Sequence, residues 1–591
     1  MLELKMMSKR FYSYIKLHKI KFFVAIVFAI VGALLNALVP YLLGLAITEI
    51  QENIKIIAVG TIVSTINFNY ILTIISYIVA VVLFGQTAVY LSSVFMTQVI
   101  QDTMKKIRTD VSEKLNRMPI SYFDGHKQGD ILSRITNDID TVGNAMQQGF
   151  LVIITSVIGM VAAIIILIDI SWVLAIIAGL IIPGSYFVSQ FFTKKSQSYF
   201  DNLQVSLGKL NGYIQEDYSG FFVMKLYGQE TKSEADFKAI NHEIAEVGFK
   251  GNVLSAFIMP LSGFITNIAY LGIAVLGGYM TFSGALSVGN LVAACQYVWQ
   301  INNPVSQITQ LIPAGQILIA SLKRIFEILD EPDEKLEYEQ ISLPEKLEGT
   351  VVFEHVKFGY YPENILIEDL SFEVKSGQTV AIVGPTGAGK TTLINLLLRF
   401  YEINSGVIKI DGISIQEMTR EQLRSLFGMV LQDAWLYQTT ISENIRLGKL
   451  NANEYEVVDS AKIANVHHFI KTLDEGYNEL LNEETSNISQ GQKQLLTIAR
   501  AIISNPKILI LDEATSSVDT RLEVLIQKAM KKIMQGRTSF VIAHRLSTIK
   551  EADLILVMKD GQIIEKGCHE DLLKKKGFYE KLYMSQFAEN E

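Results

Sequence analysis

The sequence predicts two fold classes in one chain: a membrane α-helical domain of six transmembrane helices with long cytoplasmic extensions over residues 1–330, and an α/β domain built around a phosphate-binding loop over residues 331–591. Three observations carry this reading. Composition changes near Ala320, with long apolar runs before it and, from Lys323 onward, charged residues every few positions. Six of those runs each offer the roughly 20 apolar residues that a helix needs to cross a bilayer core. Gly384–Thr392 reads G-P-T-G-A-G-K-T-T, which contains the GxxxxGK[ST] pattern of a phosphate-cradling loop.

The six runs lie near Phe22–Ile47, Asn69–Val99, Phe150–Ile168, Trp172–Phe192, Asn252–Phe282 and Val288–Ala320. No charged residue occurs between Lys55 and Asp102 or between Asp169 and Lys194, which a water-soluble helix could not sustain. Lys5, Lys9, Arg10, Lys16, Lys19 and Lys21 precede the first run, and Lys105, Lys106, Arg108 and Lys114 follow the second. The loops after the first, third and fifth runs carry only Glu49, Glu52, Lys55 and Asp169. Basic residues stay on the cytoplasmic side, so both termini are expected in the cytoplasm and the chain in the cytoplasmic (inner) membrane. The first run is too long for a cleavable signal peptide and has no small-residue cleavage site.

Two loops, about 102–144 and 194–250, continue the helical period of the adjoining runs. The first holds Tyr122-Phe-Asp-Gly125 and the second Gly220-Phe-Phe-Val-Met-Lys225. On periodicity alone these are amphipathic helices joined by glycine turns.

The phosphate loop follows a strand-like run, Val380–Val383, and precedes a helical run, Leu393–Phe400. Small residues let the backbone N–H groups of Gly384, Pro385, Thr386, Gly387, Ala388 and Gly389 wrap phosphate oxygens as far as proline allows, while the helix adds its positive end. Lys390 would reach the β- and γ-phosphates, with Thr391 on Mg2+ and Thr392 beside it. Ile508–Leu511 is a second strand, ending in Asp512-Glu513, and ligands of open α/β sheets bind at such strand ends. Asp512 is placed for the Mg2+ shell and Glu513 for polarising water. Ser489, Gly491 and Gln492 stand at the start of a helical segment, Lys493–Ile503, either as a second anion-binding device or as an ordinary N-cap. His544 ends another apolar strand.

The net charge of -8 gives no basic excess for nucleic acid, and two cysteines, Cys295 and Cys568, exclude a disulfide framework.

Across nearly its whole length the chain resembles an ATP-binding cassette (ABC) transporter of exporter architecture, a half-transporter with its membrane domain ahead of one P-loop ATPase domain. The resemblance implies that Tyr360 stacks on adenine, with Tyr361 as a substitute. It makes Gln432 the glutamine that touches Mg2+, Ile488–Gln492 the family signature, Asp512 and Glu513 the Walker B pair, Ser516–Asp519 the D-loop and His544 the switch histidine. The two patterned loops resemble the coupling regions of the family. Implied with them are ATP and Mg2+ as cofactors, ATP hydrolysis coupled to transport, and export of a hydrophobic or amphipathic small molecule of multidrug or lipid type. An importer on the same fold and a nucleotide-gated channel or regulator remain as alternatives.

Two departures matter. Gln490 replaces the first glycine of the signature Leu-Ser-Gly-Gly-Gln and Ile488 its leucine, and Asn482–Ser486 lacks the usual glycines. In the family, the signature of one chain completes the site on the partner's phosphate loop. An intact Glu513 beside an altered signature therefore resembles the subunit of bacterial heterodimeric multidrug exporters that keeps the Walker B glutamate, which implies a second half-transporter as partner, with a homodimer as the alternative. The charge-free runs predict a cavity for apolar compounds, with Tyr297, Trp299 and Phe264 as candidate lining or packing residues.

Overall fold

The computed structural model describes residues 2–58, 67–334, 341, 343–344, 347–361, 363–432, 434–482, 487–512, 520–543 and 546–586. The chain divides into two compact units, the first comprising Met1–Arg117 and His126–Pro332, the second Met118–Gly125 and Asp333–Glu591.

The first unit is helical. Its elements are α1 (Leu2–Lys16), α2 (Lys19–Ala58), α3 (Phe68–Leu115), α5 (Gln128–Ser133), α6 (Ile139–Ile170), α7 (Trp172–Gly179), α8 (Ile181–Ser219), α9 (Phe221–Leu226), α10 (Glu230–Ala256), α11 (Ile258–Phe282) and α12 (Val288–Asp330), while α4 (Ile120–Gly125) belongs to the second unit. Among the described residues, five helical stretches are long and apolar enough to cross a membrane: Lys19–Gln51, Phe68–Leu115, Gln128–Ile170, Trp172–Ser219 and Glu230–Phe282. The sixth expected run, Val288–Ala320, forms most of α12, some of whose side chains lie outside the described residues. The expected extensions are present: α3 runs on to Leu115 and α8 to Ser219. A π-helical turn, Arg134–Asp138, which periodicity did not foretell, precedes α6.

With no water to drive association inside a bilayer, helices pack by close approach and polar ties. Gly289 touches α2 so closely that a Cβ there would lie 1.7 Å from the Gly44 carbonyl oxygen. Ser92 donates to the Ala25 carbonyl at 2.8 Å, and Ser156 to Gln307 at 2.9 Å. Tyr297 is fully buried and donates to the Ala37 carbonyl at 2.8 Å, so it packs the bundle instead of lining a cavity. Trp299 and Phe264 are exposed.

The second unit has two sheets. Strands β1 (Val351–Phe358), β2 (Ile367–Val374), β4 (Ser405–Ile410) and β5 (Ile413–Ser414) form an antiparallel sheet in the order β2-β1-β4-β5. The other sheet, in the order β10-β9-β3-β8-β7-β6, contains β3 (Thr379–Val383), β6 (Phe427–Val430), β7 (Ile508–Asp512), β8 (Thr538–Ile542), β9 (Leu554–Lys559) and β10 (Gln562–Gly567). Its strands β6, β7, β8, β3 and β9 pair in parallel and only β10 runs opposite. Continuous burial along β3, β7 and β8 is what a parallel sheet covered on both faces requires. Because β6, β7, β8 and β3 are successive neighbours, the segments that leave their C-terminal ends all emerge along one edge.

Candidate functional site

The phosphate loop leaves the end of β3 with Gly384 under the Met558 carbonyl, where a Cβ would sit 2.3 Å from that oxygen. No other residue fits without moving backbone. Gly387 (φ +82°) and Gly389 (φ +98°) turn the chain through left-handed conformations, and Gly389 caps α13 (Lys390–Leu397). The helix thus starts three residues before the expected Leu393 and ends at Leu397, because the loop's last glycine is itself the cap. Lys390, Thr391 and Thr392 therefore occupy the first turn, whose N–H groups have no partner within the helix.

The Lys390 ammonium donates to the carbonyls of Gly384 at 2.7 Å and Pro385 at 3.0 Å. Partial burial lowers its pKa, and the nearby Asp512 carboxylate opposes that shift. Thr391 is exposed, while Thr392 is buried with its hydroxyl 2.9 Å from that of Tyr360. A cavity of about 460 Å³ is bounded by Thr386–Thr392, Gln432, Asp512, Leu366 and Ile542. Segments remote in sequence meet there, at the end of β3, just past β6 and at the last residue of β7.

Tyr360 is partly exposed and held edge-on by Phe358 and Tyr401, at 5.0 and 4.9 Å between ring centres. Tyr361 is far more open, at 72% exposure. Only Tyr360 is thus anchored beside the loop. Sequence reasoning overlooked Tyr401, whose hydroxyl donates to the Asp124 carboxylate of α4; burial, then Asp124, raises its pKa. The Tyr122-Phe-Asp124 pattern was the available signal.

Ser489, Gly491 and Gln492 do not border the cavity. Ser489 is an N-cap: its hydroxyl oxygen accepts from the Gln492 N–H at 3.4 Å, and the Gln492 side chain accepts from the Ser489 N–H at 2.7 Å. The helix accordingly begins at Gln490 and not at Lys493, with Gly491 buried and Gln490 exposed. Glu513, His544 and Ser516–Asp519 lie outside the described residues.

Residues 22–305 match the ABC transporter transmembrane region family, and residues 367–516 match the ABC transporter family. The chain belongs to the ABC transporters. A fatty acid ABC transporter ATP-binding/permease protein of Mycobacterium tuberculosis is 47% identical over 81% of this chain and 76% of its own length. An uncharacterised ABC transporter ATP-binding protein of Bacillus subtilis is 38% identical over 98% of this chain and 94% of its own. An ATP-dependent lipid A-core flippase of Syntrophus aciditrophicus is 32% identical over 85% and 83%. Membership makes the first unit a multi-pass membrane domain and assigns ATP binding and hydrolysis to the second.

Proposed function

We propose that this ABC transporter chain is one half of an exporter that uses ATP to move hydrophobic or amphipathic lipid-type molecules across the cytoplasmic membrane by alternating access, with both termini in the cytoplasm. The single observation that carries the ATP-dependent part is the cavity where Lys390, Thr391, Gln432 and Asp512 converge. The lipid-type cargo rests on spans without charge and on the names of the fatty acid transporter and the lipid A-core flippase among its relatives.

Lys390, on binding nucleotide, would exchange its two loop carbonyls for phosphate oxygens, a stronger charge-assisted pairing. Thr391, Gln432 and Asp512 would hold Mg2+, whose charge offsets that of the phosphates. Tyr360 would stack on the adenine. Glu513 would polarise the attacking water, with His544 beside it. Swinging a two-state membrane domain from one face to the other takes about 5.5 kcal/mol of differential binding, which phosphate contacts at two sites can supply.

The pairing we propose is with a different half-transporter. Gln490 is exposed at the first position of its helix, where it would enter the partner's site, while Glu513 and His544 are retained in this chain. The test is ATP-dependent accumulation of a labelled long-chain fatty acid in inside-out vesicles, with and without a co-expressed partner. Glu513→Gln should keep ATP binding and lower turnover by at least ~100-fold. Absence of ATP-dependent accumulation overturns the transport reading, and full turnover by this chain alone overturns the heterodimer.

A further inference from the structure

Helix α1 roofs an apolar cavity in the first unit. Phe11 and Ile15 are its buried residues, whereas Lys9 and Lys16 are exposed, and the sequence from Lys5 to Lys19 contains no acidic residue. That pattern suits a helix lying in the membrane interface. It is tied down at two points. Arg10 pairs with Asp330 at 2.5 Å and lies 4.6 Å over the Phe326 ring. Tyr14 is half-buried and hydrogen-bonded to Asp110, which together push its pKa up to about 12.

Between these ties a cavity of about 430 Å³ stays open, bounded by Phe11 and Ile15 of α1, Met146 and Phe150 of α6, and Leu318 and Leu322 of α12. Apolar cavities of this kind do not hold water well, so an occupant has to be hydrocarbon. At roughly the 30 Å³ that one water takes in the liquid, a value near that of a methylene, the space accepts on the order of 14 carbons. That is one chain and not two. Gly315 on α12 faces it with nothing within 4 Å of where its Cβ would be. The charge at the roof is the second constraint. Arg10 is already paired, but Lys9 and Lys16 make no ion pair among the described residues, leaving cations beside a single-chain slot.

We propose that this cavity binds a long-chain carboxylic acid, its hydrocarbon tail between α1, α6 and α12 and its carboxylate among the lysines of α1. The choice of ligand class rests on the lipid-exporter reading above; the site and the single-chain acid go beyond it.

The test uses the full chain, with its partner where one is required, in lipid nanodiscs. A fatty acid carrying a diazirine on its tail is photolysed and the labelled peptides are mapped by mass spectrometry. Labels are expected on α1, α6 and α12, at least fivefold weaker in Gly315→Leu, which fills the cavity, and unchanged in Gly278→Leu, which enters open space on α11. Unlabelled fatty acid should compete better than its methyl ester, and Lys9→Gln/Lys16→Gln should erase that preference. Labelling that ignores Gly315→Leu overturns the site. Equal competition by a two-chain phospholipid overturns the assignment to an acid and gives the cavity to bulk lipid. Transport without labelling here sinks the site and leaves the exporter reading standing, whereas labelling without ATP-driven transport does the reverse.

Discussion

Replacing Lys390 with methionine keeps the aliphatic stem that packs in the loop and removes only the charge. In the nucleotide-free protein the ammonium donates to two carbonyls, those of Gly384 and Pro385. Because Lys390 and Pro385 are only partly buried, water can replace the lost donor, so folding should lose no more than about 1 kcal/mol. The phosphates have no such substitute. Hydrogen bonds to charged groups are each worth about 1.5–3 kcal/mol, and part of that is offset by the carbonyl contacts given up on binding. A net loss of about 2–3 kcal/mol remains, which loosens ATP binding roughly 30- to 150-fold. Titration of the purified protein with a fluorescent ATP analogue measures this, with thermal unfolding as the control on stability. An affinity within about threefold of wild type, a difference of only ~0.7 kcal/mol, would refute the assignment of Lys390 to phosphate.

Burial holds the Lys390 pKa below 10.5, so the folded protein loses this proton before an unfolded chain would. ATP affinity should therefore fall as pH rises through the lowered value, while nucleotide-free stability rises between that value and 10.5; affinity unchanged up to 10.5 would count against it. Gly384→Ala forces a Cβ to within 2.3 Å of the Met558 carbonyl, and should cost about 1–3 kcal/mol in a denaturant melt as well as ATP binding. Changing Tyr122, which is buried, and Phe123 to Ala in α4 should abolish transport yet leave ATP affinity within about threefold of wild type, because neither residue borders the phosphate-loop cavity; unchanged transport at equal expression would mean they only pack.

The helical half was legible because bilayer solvation imposes a coarse rule: long charge-free runs must be helices. What was not legible there depended on particular contacts. Tyr297 looks like a cavity aromatic in sequence, and its burial comes from a hydroxyl that finds the Ala37 carbonyl one helix away. The π-turn at Arg134–Asp138 leaves no mark on a period of 3.6 residues, although Asp138 there is buried and paired with Ser321 and Arg324. In the α/β half the loop spacing fixed Gly384 to Thr392 directly, since each glycine answers a backbone demand. Helix starts were misjudged at both Leu393 and Lys493 for one reason. Polar residues before an apolar run read as loop, but here they form the first turn, where unpaired N–H groups face a ligand or a cap. The neighbourhood of Gln432 and Asp512 follows from sheet order, which no local pattern contains.

The altered signature shows how far a local fold constrains a site of this kind. Ser489 and Gln492 close their capping box whatever occupies position 490, because the box uses the backbone and side chains of residues 489 and 492 only. Gly491 is buried, so that position is restricted by the packing of its own domain. Position 490 is exposed at the first turn, and glutamine is a better helix former there than glycine. Folding of this chain therefore gives no reason for glycine at 490 and a small reason against it. A preference for glycine has to come from whatever approaches the exposed helix start from outside the domain. If an identical copy approached, the added side chain would crowd both sites at once. If a different half-transporter did, the crowding falls on one site, and the site built on this chain's own Lys390 and Glu513 is completed by the partner's signature. The same substitution is thus neutral for the fold and decisive for the assembly, which is why ATPase of the chain alone, compared with the pair, separates the two arrangements.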